Sequence, residues 1–384
     1  MIYLDNCATT PLEPIATEAM HRVNVEVFGN PSSIHTEGRR AAKVLADARS
    51  VLAESIAAKS SEIVFTSSGT ESNNLVIASV VQRFFKDAPV HIVTSTTEHA
   101  SVRNRLAFEK RLHGEGVQVT EIPVDGTGLV DMQQLRGAVR PNTRLITLLH
   151  CNNETGVLQD LAGILAVKLA FPTVLLHLDI VQSYLKTPFD VRTMPVDFLT
   201  ACAHKIHGPK GIGFLYVRDG VDLAPLLVGG GQENFRRAGT ENVAGAAGFS
   251  AAAQQMPRAE TLHPLLLELE GTFFHELDFA GVAYTLNGAV DQTHRMPGIF
   301  NISIADVKNK EDLQIAMDLE GVQLSSTSAC HSGVVVDSPV LKAMGLSEER
   351  RAGAIRIGFS RMLNIANVRR AAQTLAMVTK RMVT

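Results

Sequence analysis

The stretch "HKIHGPKGIG", His204 to Gly213, closes an apolar-leaning run, "VDFLTACA", with two histidines, two lysines and three glycines. A surface lysine is normally a solvated charge. Held in a rigid, glycine-lined pocket, Lys205 would instead be a nucleophile. Four other stretches put a polar side chain just past a strand-like run. In "FTSSGTESNN" a strand stops at Ser67, Gly69 lets backbone approach closely, and Thr70 opens a helix. Free N–H groups and a hydroxyl there suit a phosphate, although taken alone the residue reads first as a plain helix cap. In "TSTTEHASV" His99 follows a strand, where an isolated histidine is more often structural than catalytic. The tandem Asn152 and Asn153 of "LHCNNETGV" read first as a turn, or as an amide orienting a ligand oxygen. Asp179 ends the very apolar "LLHLD", a placement that is costly unless the carboxylate is paired. It is either a helix N-cap or the partner of a cationic ring nitrogen, with Gln182 in reach of the same ligand.

Taken together, a lysine, an upstream aspartate and a phosphate cradle match what pyridoxal 5'-phosphate requires. Lysine supplies the imine, aspartate keeps the pyridine nitrogen protonated so that the ring accepts electrons, and a helix N-terminus holds the phosphate. Each piece alone is a weak signal, and their order along the chain makes the combination a strong one.

The elements that must position these residues are legible as alternating patterns. "AAKVLADARSVLAESIAA" carries Val44, Leu45, Ala48, Leu52 and Ile56 at helical spacing. Then follow the strand "EIVFTSS", the helix "ESNNLVIASVVQRFF", the strand "HIVTST" and a helix from Ala100. "VQVTEIPV", a helix near Met132, "RLITLLHC", a helix near Ala166 and "TVLLHLDI" continue the alternation. This predicts an α/β fold with a mostly parallel sheet covered on both faces, and such sheets bind ligands at the carboxyl ends of their strands. After "AAAQQMPRAE" a long helix, short strands and the serine-rich "GVQLSSTSACHSG" predict a smaller α+β domain. We expect a large cofactor-binding domain over 15–255 and a small one over 256–384, joined by the N-terminal segment 1–14.

Composition narrows the function. The 384 residues carry a formal charge of −3 and no tryptophan, which gives no reason to expect direct nucleic-acid or membrane binding. The start of the chain lacks signal-peptide regions. The four cysteines are far apart with no CxxC pair, so neither a disulfide framework nor a metal site is expected. A cytoplasmic protein with reduced thiols is the expectation.

The chain resembles the cysteine desulfurases of the NifS/IscS type, pyridoxal-phosphate enzymes of the aspartate aminotransferase-like fold (fold type I). The resemblance runs over nearly the whole length: "YLDNCATTP", "FGNPSSIHTEGRRA", "FTSSGTESNN", "TEHASV", "NNETGV", "AHKIHGPKGIGFLYV", "GGGQENFRRAGTEN", "SSTSAC" and "IRIGFSR". It implies that Lys205 is the imine-forming lysine, Asp179 the ring-nitrogen partner, and His99 a residue stacked on the ring that also acts as an acid/base. Gln182 and Asn153 would bond the ring hydroxyl, and Asn153 the substrate carboxylate too. Gly69, Thr70 and His204 would hold the phosphate, with Thr240 reaching it from the neighbouring subunit of a homodimer. Arg356 would clamp the substrate carboxylate. Cys330, among small residues, would be the second nucleophile, taking sulfur from L-cysteine as a persulfide, releasing L-alanine and passing the sulfur to an acceptor protein.

The pattern departs from the family at several positions. Cys202 stands where serine is common before the lysine, and a thiol is a poorer phosphate donor than a hydroxyl. Ser68, the residues before Gln182, Thr327 and His331 also differ, though no expected catalytic side chain is lost. The chain ends soon after "NVRRAAQTLAMVTKRM", where members that dock an iron–sulfur scaffold carry a longer tail. Sulfur supply to tRNA or DNA modification is therefore expected at least as readily as iron–sulfur cluster assembly. A selenocysteine lyase, or another pyridoxal-phosphate lyase or transaminase, is the alternative enzyme, and Cys330 weighs against a transaminase. A silent scaffold would be expected to lose Lys205, Asp179 or Arg356, and all three are present. A nicotinamide dehydrogenase would need a GxGxxG after the first strand, which is lacking.

Overall fold

The structure is a computed structural model that describes residues 1–86, 88–326 and 337–383. The chain opens with β1 (Ile2–Tyr3), α1 (Pro14–Glu26) and α2 (Thr36–Glu54). An alternating stretch follows: β2 (Ile63–Thr66), α3 (Gly69–Phe84), β3 (Val90–Ser95), α4 (Ala100–His113) and β4 (Val117–Ile122). It continues through α5 (Met132–Gly137), β5 (Thr143–Leu149), α6 (Leu161–Ala170), β6 (Leu175–Asp179), β7 (Phe198–Cys202) and β8 (Gly213–Val217). These strands form one seven-stranded sheet in the order β2-β8-β7-β6-β5-β3-β4. Only β8 runs against its neighbours, pairing antiparallel with both β2 and β7.

Strand residues alternate between two apolar layers, as a sheet buried on both faces requires. Ile63, Phe65, Phe214 and Tyr216 face the layer built with Leu45, Leu52, Ile164 and Phe249 from α2, α6 and α7 (Val243–Gln255). Val64, Leu215 and Val217 face the layer built with Leu75, Val76, Val102 and Leu106 from α3 and α4. The expected mostly parallel sheet with helices on both faces is what the chain forms.

The remaining chain builds a second layer system: α8 (Ala259–Phe279), β9 (Tyr284–Asn287), β10 (Ile299–Ile304), α9 (Lys310–Leu319), β11 (Val322–Gln323) and β12 (Ser325–Ser326). Then come α10 (Pro339–Ala343), α11 (Glu348–Ala352), β13 (Ala354–Gly358) and α12 (Ile365–Val383). A four-stranded antiparallel sheet, β12-β13-β10-β9, packs on α8 and α12 around Phe273, Phe300, Ile302, Ile355 and Leu375. Ile2 and Leu4 join this core, whereas Val340 and Leu341 of α10 pack with the seven-stranded sheet. Among the described residues no helix is long and apolar enough to cross a membrane.

Candidate active site

The carboxyl ends of β6 and β7, the N-termini of α3 and α4, and β13 of the small sheet converge on one cavity of about 330 Å³. It is lined by Gly69, Thr70, His99, Asn153, Asp179, Gln182, Cys202, His204, Lys205 and Arg356. Two expected residues are not among that lining. Thr240 is exposed and outside the cavity of its own chain, and Cys330, with His331 and Thr327, falls outside the described residues.

At the start of α3 the cap is Ser68, not Thr70. The Ser68 hydroxyl accepts from the Glu71 N–H at 3.2 Å. The Thr70 hydroxyl is thereby left without a hydrogen bond among the described residues, at the positive end of a helix. Gly69 is required because a Cβ there would sit 2.7 Å from the Val181 methyl.

Asp179 ends β6 and caps no helix. Its Oδ1 accepts from the Val181 N–H at 3.0 Å and its Oδ2 from Asn73 Nδ2 at 2.7 Å. Burial raises its pKa, opposed by His99, by the Asn73 bond, by the Val181 N–H and by Lys205. A cation bound beside it would restore the carboxylate. The tandem asparagines divide their roles. Asn152 Oδ1 accepts from the N–H groups of Glu154 and Thr155, at 2.9 and 3.1 Å, and makes the turn. Asn153 is thereby turned into the cavity.

Lys205 closes a single turn, Ala203–Lys205, directly after β7. The chain folds back tightly there, since a Cβ at Gly208 would meet that of Ala203 at 2.7 Å. Lys205 Nζ donates to the carbonyls of Cys7 and, at 2.6 Å, Ala8. Burial lowers its pKa, and the cations Arg356 and Lys186 act in the same direction. A lysine so placed loses its proton more readily than one in water. Burial also takes His204 down to about 3, with Lys205 adding to the effect, and lifts the Cys202 thiol to about 12. Both present neutral groups to the cavity at neutral pH.

Arg356, only 3% exposed on β13, donates through Nη2 to Asp5 at 2.7 Å and through Nη1 to the Asn153 carbonyl at 3.2 Å. Its Nε is buried with no partner. Gln182 Nε2 donates to the Cys7 carbonyl at 2.9 Å, and Gln182 Oε1 is a buried acceptor with nothing donating to it.

Sequence reasoning gave no role to Asp5, Cys7, Ala8, Asn73 or Ser101. "YLDNCATTP" pointed at the segment but not at the task, because Cys7 and Ala8 contribute backbone carbonyls. Asn73 had a legible signal: a polar residue three positions after Thr70, in helical register with the cavity.

A family description, aminotransferase class-V, matches residues 2–370. The chain belongs to the class-V aminotransferase family. Within it the chain is of the NifS/IscS cysteine desulfurase type. The cysteine desulfurase IscS of Dictyoglomus turgidum is 40% identical over 356 residues, covering 92% of this chain and 88% of that protein. A solved NifS-like protein superposes with a TM-score of 0.91 at 29% identity, over 99% of both chains. SspA in complex with cysteine superposes with a TM-score of 0.81 at 32% identity, covering 94% of this chain and 99% of that one.

Proposed function

We propose that the protein removes sulfur from L-cysteine with pyridoxal 5'-phosphate, yielding L-alanine and a persulfide on Cys330 that passes to an acceptor protein. The observation that carries this reading is the meeting of Lys205, Asp179 and Arg356 in one cavity where Gln182 Oε1, Arg356 Nε and the Thr70 hydroxyl have no partner among the described residues. Those groups fit the cofactor. Gln182 Oε1 lacks the donor that a ring hydroxyl would supply, and a buried acceptor left so is costly. The free Thr70 hydroxyl, the α3 N-terminus at Gly69 and the neutral His204 suit a phosphate. Asp179 would hold the ring nitrogen and Lys205 the aldehyde carbon, with Asn153 beside the ring hydroxyl and Cys202 and His99 completing the walls. The cofactor supplies an electron sink that acidifies the substrate's α C–H.

The chain's own groups supply the rest. Arg356 binds the substrate carboxylate through its unspent donors, with Asn153 beside it. Lys205, its pKa lowered, takes and returns protons at Nζ. The Cys330 thiolate attacks the substrate sulfur, so that one C–S bond breaks, one S–S bond forms, and the thiol's proton ends on alanine. L-cysteine plus thiol gives L-alanine plus persulfide, with no external oxidant. Thr240, exposed and not among the residues lining its own cavity, would reach the partner's phosphate site in a homodimer. Residues 15–255 would then bind the cofactor, while 256–384, with 1–14, would carry Arg356 and Cys330.

The test is product analysis of the cofactor-loaded protein supplied with L-cysteine and a thiol acceptor. Alanine and transferred sulfur in equal amounts are expected. Pyruvate and ammonia would replace this reading with a lyase.

A further inference from the structure

The hydrogen bonds around His99 determine which of its nitrogens carries the proton. His99 caps α4 and turns Nδ1 back onto the first turn of its own helix, where the Ser101 N–H donates to it at 3.2 Å. A backbone N–H can only donate, so Nδ1 must present a lone pair. Ser101 Oγ lies 2.8 Å from the same nitrogen. Since Nδ1 holds no proton, the hydroxyl must be the donor in that contact. Asn73 Nδ2 donates to Ser101 Oγ at 2.9 Å and to Asp179 Oδ2 at 2.7 Å. Against the carboxylate form of Asp179, which a cationic ring nitrogen beside it maintains in the cofactor-loaded protein, a reversed amide would set the Asn73 oxygen, two acceptors in contact. The serine oxygen accepts from Asn73, which leaves its own hydrogen free for Nδ1. Asn73, Asp179 and Ser101 are 0%, 3% and 8% exposed, so these bonds lie below the surface of the protein. Among the described residues Nε2 makes no hydrogen bond, and it is the edge of the ring left for a ligand.

We propose, resting on the function given above, that Asn73 and Ser101 are positioning residues that hold His99 as its neutral Nε2–H tautomer, a hydrogen-bond donor in the reaction and not an acid/base. A base would need its lone pair on Nε2. An acid would need a second proton, and Nδ1 would have to carry it against the Ser101 N–H. Giving up the sole N–H proton of a neutral imidazole would leave an imidazolate, an anion far too basic to form near neutral pH. The surrounding charges agree. Burial lowers the His99 pKa, Lys205 and Arg103 act with it, and Asp179 alone opposes. A neutral histidine acting as electrophile is a known solution for an active site. The proton transfers that the family resemblance assigns jointly to His99 and Lys205 then fall to Lys205.

Two measurements on the cofactor-loaded protein decide the matter. The first is the nitrogen NMR spectrum of protein labelled at histidine, with the His99 signals identified by their loss in His99→Gln. Between about pH 6 and 9, where an ordinary histidine titrates at the acid end, wild type should show one neutral form protonated on Nε2. In Ser101→Ala the loss of a donor to Nδ1 should raise the His99 pKa. A proton on Nδ1, or an imidazolium in that range, overturns the proposal, and so does an unchanged pKa in Ser101→Ala. The second compares His99→Gln with His99→Ala. Glutamine keeps an N–H donor and should retain at least roughly tenfold more activity than alanine, the value of a hydrogen bond of this kind; equal losses would restore the acid/base role. Because the tautomer is read without turnover, failure to release alanine from L-cysteine would count against the proposed function and leave the tautomer result standing.

Discussion

Two parts of the chain meet at the cavity and serve it by different means. The strand ends and helix starts of the large sheet present side chains: Asp179 after β6, Lys205 after β7, Thr70 on α3 and His99 at α4. The N-terminal segment Asp5–Thr10 presents mainly backbone. Its Cys7 carbonyl accepts from Gln182 and Lys205, its Ala8 carbonyl from Lys205, and Thr10 donates twice to the His204 carbonyl, at 2.9 and 3.0 Å. Asp5 holds Arg356, and Asn6 Nδ2 donates to the Gly358 carbonyl at 2.8 Å. One region thus supplies the reacting groups, and the other ties the lysine turn of the large sheet to the arginine strand of the small one. Chemistry and posture are separate in sequence and joined only by the fold.

The largest effect should come from the reacting side. Lys205→Ala should lower desulfuration by roughly 10²–10⁴-fold, the scale of a lost acid/base group. Borohydride reduction should then leave no cofactor attached to the chain, as peptide mass analysis would show. Residual attachment at Lys210 or Lys186 would mean that the lysine had been misassigned.

On the posture side, Asp5→Ala leaves Arg356 with one fewer charged partner. A hydrogen bond to a charged group is worth about 1.5–3 kcal/mol, so kcat/KM for L-cysteine should fall by about 10- to 100-fold, expressed mainly in KM. Cofactor absorbance should be unchanged. Loss of cofactor together with KM would show that the N-terminal segment supports the Lys205 side as well, and would blur the contrast.

A smaller effect separates the two lysines from the solvent-exposed ones. Burial lowers the pKa of both Lys205 and Lys186. Between the lowered value and the ordinary lysine value of about 10.4, the unfolded chain binds more protons than the folded one. Stability of the cofactor-free protein should therefore rise with pH across that window. Lys186→Met should flatten the rise, as denaturant midpoints at a series of pH values would show. The smallest effect is expected at the α3 start: Ser68→Ala should cost about 1 kcal/mol of stability through loss of the cap, measured by denaturant unfolding, with cofactor affinity little changed.

The same contrast explains what was legible in the sequence. The parallel sheet could be read because its strands are continuous Val/Ile/Leu runs alternating with helical patterns, and the strand-end residues because lysine, aspartate and histidine have few bland uses there. The α3 cap could not be placed on Ser68 rather than Thr70, because a Ser-Ser-Gly-Thr run offers several start positions and only backbone geometry selects one. The supporting carbonyls of Cys7 and Ala8 carry no side-chain signature, since any residue has a carbonyl. The Asn73–Ser101 pair joins two helices 28 positions apart, a proximity that local patterns do not encode. By local pattern alone Asn152 and Asn153 are equivalent; the resemblance singles out Asn153, and the turn made by Asn152 is what turns it toward the cavity.

The central claim is that sulfur leaves L-cysteine and rests on Cys330. It is tested most directly by mass spectrometry of the Cys330 peptide from cofactor-loaded protein exposed to L-cysteine without reductant, with alanine assayed in the same sample. The account predicts one added sulfur atom on that peptide and a matching amount of alanine. Cofactor-dependent turnover of L-cysteine with Cys330 unmodified throughout would contradict it.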